Sequence, residues 1–157
     1  MLLAACSDGP SDSPRVAGTG QQLDNSIVAA LTHPDATECS AARRSYPNSR
    51  QPQEDAFFQV SEGTSSQDSA ANNTATTASD ITTWYIDRIQ ALTGEAPIAD
   101  EPTALIEAHP ALESAFFLNP VIAGAPVGIS IASAAGSPIS ITLSIGSSGN
   151  WVASDCA

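Results

Sequence analysis

Residues able to move protons or hold ions are sparse in this chain, and their spacing limits what they can do. His33, Asp35 and Glu38 form its one compact cluster of polar ligands. Imidazole and carboxylate both bind metals, but this spacing fits no known site, so the cluster reads as a solvated turn and no metal is expected. His109 precedes Pro110 between Glu107 and Glu113, where a capping or surface role is the simpler reading. Asp80 and Asp87 are candidates for acid–base work, yet Asp80 fits a helix N-cap and Asp87 a surface pair with Arg88. The serines have neither a neighbouring histidine nor a Gly-x-Ser-x-Gly elbow, and a chain without lysine cannot run a Ser–Lys scheme. "GSSGN" is a hairpin turn, not a phosphate cradle. No catalytic residue and no cofactor is expected.

The cysteines are more informative. Leu3-Ala4-Ala5-Cys6 is a branched apolar residue, two small ones and a thiol, and it resembles the lipobox of bacterial lipoproteins. Small side chains beside the bond suit the peptidase that cuts there, and the cysteine then carries the acyl glycerol. Residues 1–6 therefore read as signal peptide and lipobox, with Cys6 the lipidation site and an upstream start expected. The alternative is a cytosolic chain in which Cys6 has no role. "SDGPSDSPRVAGTGQ", residues 7–21, is small and polar without periodicity, as a flexible tether from a membrane would be. Cys39 and Cys156 then remain as an even pair in an oxidising compartment, where a disulfide is expected; two buried thiols are the alternative.

Composition agrees with an exported protein and excludes other classes. The chain has 157 residues and a formal charge of −12, and its five basic residues are all arginine. No basic patch for a phosphate backbone can be assembled, so nucleic-acid binding is not expected. Adsorption to anionic lipid by charge alone is equally disfavoured, which leaves the acyl anchor as the membrane contact. The absence of lysine beside abundant Ala, Thr and Ser points to a high-GC genome such as that of an actinobacterium. Nothing after Cys6 is long and apolar enough to span a bilayer.

The elements that would position these groups follow from periodicity. Leu23, Ile27 and Leu31 form one helical stripe ending at the His33-Pro34 step. A turn-rich piece from Asp35 to Pro52 carries Arg43 and Arg44, which either grip an acidic partner or lie solvated. "DAFFQV" is a strand or a buried helix turn, and Ser61 to about Ser79 is a mobile polar loop. "ITTWYIDRIQAL" is a helix with Ile81, Trp84, Tyr85, Ile89 and Leu92 on one face, stopped by Gly94. Trp84 and Tyr85 either pack in the core or line an apolar ligand cavity. The stretch from Glu101 to Asn119 reads as one helix or two divided at Pro110. "VGISIAS", "ISITLSI" and "NWVASDC" alternate as three strands of a meander, one face buried and one wet, with Trp151 a packing anchor. The expected fold class is α+β, one domain over 22–157, its N-terminal helices packed on a curved antiparallel sheet.

Both ends of that domain resemble the low-molecular-weight secreted antigens and lipoproteins of mycobacteria. "QQLDNSIVAALTHPDATECSAA" is similar to their opening helix and turn, and "GISIASAAGSPISITLSIGSSGNWVASDC" to their closing strands. The resemblance implies a cone-shaped α+β fold similar to nuclear transport factor 2 and carries over no catalytic residues. It leads to an envelope lipoprotein on the outer face of the cytoplasmic membrane, non-enzymatic, presenting a binding or scaffolding domain to a protein partner. A carrier of an apolar small molecule in the cone, or an enzyme on the same fold, are the alternatives.

Overall fold

The computed structural model of the chain describes residues 26–45, 54–61 and 76–146. Cys6, the tether, Trp151, Cys156 and most of the expected polar loop lie outside these residues, as do the side chains of Arg43 and Arg44. Helix α1 covers 26–31, followed by β1 (Thr37–Ser45), β2 (Glu54–Val60), α2 (Ala78–Thr93) and α3 (Thr103–Ala108). Four strands complete the order: β3 (Leu112–Leu118), β4 (Val121–Ile122), β5 (Ala125–Ala134) and β6 (Ile139–Ile145). The architecture is α+β, an open, curled antiparallel sheet in the order β1-β2-β6-β5-β3, with β4 also on β5.

The core forms because strand alternation and helical spacing converge on one face of the sheet. Ile131 pairs with Ile141 and Ile129 with Leu143, while Phe58 meets Ile141 from the other side. Against this face lie Ile27, Val28 and Leu31 of α1 and Ile81, Tyr85 and Ile89 of α2, all buried in one cluster. Each fully buried aliphatic side chain stabilises by about 1.5–3 kcal/mol relative to exposure, so this layer dominates the stability.

α2 begins with a capping box one turn earlier than the sequence suggests. Thr77 is the N-cap and accepts from the Asp80 N–H at 3.2 Å, while the Asp80 carboxylate accepts from the Thr77 N–H at 2.9 Å. Asp80 is therefore the third helical residue, and the helix starts inside the stretch expected to be loop. The Thr77 hydroxyl, which donates to the Asp80 carboxylate at 2.7 Å, and then the Thr77 N–H hold that carboxyl below its ordinary pKa. Gly94 ends the helix at φ +84°, donating its N–H to the Gln90 carbonyl.

Three further expectations are corrected. The turn-rich stretch holds β1, a strand whose register slips between Glu38 and Arg43. Leu112–Leu118 is a strand, not a helix: Ser114, Phe116 and Leu118 pair with Ser133, Ile131 and Ile129 along β5. Its apolar residues serve two sheet faces, and that two-sided pattern imitates helical spacing. The second face of the meander is not wet either, since Ser130, Thr142 and Ser144 are buried there beside Asp55 and Phe57.

β3 and β4 are one strand broken at Asn119-Pro120. Leu118 pairs with Ile129 and Val121 with Pro126 in an unchanged register, and Val127 donates to the Pro120 carbonyl between them. Proline has no N–H to return that bond, so the ladder stops for one step. The hairpin closing β4 onto β5 has positive φ at both Ala123 and Gly124.

Candidate functional site

Most of the residues singled out for chemistry are used to hold the fold. The Asp35 N–H donates to His33 Nδ1 at 3.2 Å, which leaves the proton of the neutral imidazole on Nε2. His33 is only 8% exposed, and burial lowers its pKa while the Asp35 carboxylate partly opposes the shift. Trp84 joins His33 and Tyr85 in edge-to-face contacts, with ring centroids 4.8 and 4.9 Å apart. Among the described residues no group of His, Cys, Asp and Glu is placed to hold a metal ion. Arg88 is not spent on a surface pair with Asp87: its Nε donates to the Ala30 carbonyl of α1 at 2.8 Å. His109 closes α3, its N–H donating to the Leu105 and Ile106 carbonyls.

Cys39 is barely exposed on β1. Cys6 and Cys156 both lie outside the described residues, so the pairing with Cys156 stands as a proposal.

Tyr85 belongs to the core, not to an open cavity. Its side chain is fully buried, and its hydroxyl has no hydrogen-bond partner among the described residues. Burial drives its ionisation far above the ordinary phenol range. Asp55, which sequence reasoning passed over inside "DAFFQV", is fully buried and engaged. It stands opposite Ser144 on the second sheet face.

What the structure brings together is a groove at the C-terminal end of α2. It has a volume of about 410 Å³ and is lined by Ile89, Glu95, Ile98, Asp100, Asn119 and Val121, among others. Ile98 is 82% exposed and Val121 63%, and Leu92 in the last turn of α2 is 42% exposed. Leu92 was expected on the buried face of its helix. Among the described residues these are the large apolar side chains left to solvent, and two of the three line one groove. Scattered exposed apolar residues are ordinary, whereas grouped ones mark sites of contact.

Local sequence explains the shape of this rim. After Gly94 exposure alternates along the chain: Ala96, Ile98 and Asp100 are exposed and Pro97 and Ala99 half-buried. Ala99 packs on the core, which turns Ile98 outward. Asp100 then forms a β-bridge to Phe117, which fixes the segment beside the edge of β3. Val121, which opens β4, lines the groove beside Asn119 and Pro120. The lining carries two carboxylates, Glu95 and Asp100, and no cation. Sequence reasoning missed the groove, because "APIAD" has no helical or strand run to draw attention to it.

No helix among the described residues is long and apolar enough to cross a membrane. No protein-family profile, curated protein or solved structure matches the chain.

Proposed function

We propose that this chain is an envelope lipoprotein, held on the outer face of the cytoplasmic membrane through acylated Cys6, whose α+β domain is a non-enzymatic binding module. The likeness of its two ends to the low-molecular-weight antigen family and the lipobox of the first residues belong to the same reading. The observation that carries the module is the pair Ile98 and Val121, two of the three large apolar side chains exposed among the described residues, which line one groove. The interior supports a module over a carrier. The space between α2 and the sheet is taken by Tyr85, Phe58, Leu31 and their aliphatic neighbours. A Cys39–Cys156 disulfide would suit the oxidising compartment outside the membrane.

The anchor is tested in the host with the natural start. Two or more acyl chains, at about 0.8 kcal/mol per buried CH₂, hold a domain on a bilayer stably. Cys6→Ser is expected to move the protein from the membrane to the soluble fraction. A variant as membrane-bound as the wild type removes the anchor. Non-reducing peptide mapping of the same material is expected to yield one linked Cys39–Cys156 peptide.

A further inference from the structure

We infer that the groove at the end of α2 receives an extended segment of another protein that carries aliphatic and arginine or lysine side chains in alternation. The inference rests on the binding-module reading and names the partner class of that site. Three observations carry it. The first is the apolar pair: Ile98 and Val121 face solvent from the groove lining, where a partner's aliphatic side chain can cover both.

The second is the backbone. Asp100 and Phe117 exchange two hydrogen bonds of 2.9 Å, an isolated antiparallel bridge that holds the chain at the C-terminal end of β3. Ala96, Ile98 and Ala99 lead into that bridge around Pro97, which has no N–H, and their own peptide groups make no hydrogen bond among the described residues. An extended peptide can pair with such a run by main-chain hydrogen bonds, which give affinity while alternate side chains give specificity. A helix or a rigid small molecule would leave that edge unused.

The third is charge. Glu95 and Asp100 flank the apolar pair with no cation in the lining, and the whole chain carries −12. A cationic residue on each side of the partner's aliphatic side chain would meet those carboxylates. The same charge opposes a second copy of this chain, which would bring −12 against −12, and it opposes anionic lipid headgroups.

The test uses the full chain and a fluorescein-labelled peptide alternating valine and arginine, followed by anisotropy. Controls are the same peptide with glutamate for arginine and with serine for valine. The valine–arginine peptide is expected to bind and both controls to fail. Ile98→Glu is expected to weaken binding by about tenfold or more, since it removes burial of one aliphatic side chain. This variant also separates the groove from general attraction: it makes the chain more negative, so non-specific binding of the cationic peptide would rise. Ile98 is exposed, so its thermal melt should match the wild type and exclude unfolding as the cause. Glu95→Gln with Asp100→Asn is expected to weaken binding and flatten its salt dependence.

Absence of binding, or binding that Ile98→Glu leaves unchanged or strengthens, overturns the inference. So does a dimer in sedimentation that Ile98→Glu disperses, because the occupant is then a second copy. The anchor is read separately by fractionation of Cys6→Ser. Release from the membrane with no peptide bound removes the groove's assignment and leaves the anchored module standing.

Discussion

Arg88 on α2 and Ala30 on α1 are tied by one hydrogen bond, from Nε to the carbonyl, 2.8 Å long. Ala30 lies in the last turn of its helix, where carbonyls have no partner further along the chain. A cationic donor there satisfies one of them and opposes the negative end of the helix dipole. Arg88→Ala is therefore expected to cost about 1 kcal/mol, a modest figure because the bond is exposed. Hydrogen exchange should show the loss as faster amide exchange over 26–31, with the strands unaffected.

His33 makes the domain sensitive to mild acid. Its folded-state pKa is lowered from 6.5 by burial, so the folded state favours the neutral ring. The sign follows: the contribution is complete above the unfolded value of about 6.5 and is lost as pH falls from there toward the folded value. Protonation also removes the lone pair that accepts from the Asp35 N–H. Thermal melts between pH 7.5 and pH 5 should fall for the wild type. They should fall less for His33→Asn, which keeps an acceptor near Nδ1 but does not titrate.

Tyr85 offers a stabilising substitution in the middle of the core. A buried hydroxyl without a partner costs about 1–3 kcal/mol, and phenylalanine has the same ring without it. Tyr85→Phe should raise the melting temperature or leave it unchanged. A clear loss of stability would mean that the hydroxyl has a partner in solution.

The β4–β5 hairpin carries a second improvable position. Ala123 sits at φ +51°, followed by Gly124 at φ +79°. A two-residue turn with positive φ at both positions favours Asn-Gly, and a left-handed alanine costs about 1 kcal/mol. Ala123→Asn is expected to recover part of that, about 0.5 kcal/mol, measurable as a shift of the urea midpoint at unchanged slope.

Sequence reading reached the parts of this fold that have a single period. α2 alternates with helical spacing and ends at the glycine that stops it, and Ile129, Ile131, Ile139, Ile141 and Leu143 share a face as their alternation requires. Reading failed where one segment serves two surfaces. Leu112–Leu118 buries residues on both faces of the sheet, and the resulting Leu112–Phe116 spacing looked helical. The capping box was displaced for a simpler reason: Thr77 and Asp80 can each cap a helix, and only the chain's path shows which one does. The groove could not be read at all. Ile98 and Val121 lie far apart in the chain, and the bridge from Asp100 to Phe117 brings their segments together.

The position of β6 between β2 and β5 has a kinetic consequence. β2 is made long before β6, and even its nearest pair, Val60 with Ile139, waits for most of the chain to be synthesised. Until then the edge of β2 that β6 will occupy stays open, and of the two helices that cover Phe58 and Val60 only the short α1 has been made. By contrast α2, β3, β5 and β6 are neighbours in sequence and close with shorter loops. The hairpin that is synthesised first is therefore seated last, and a chain emerging N-terminus first, as during synthesis, must keep that hairpin from aggregating until β6 follows.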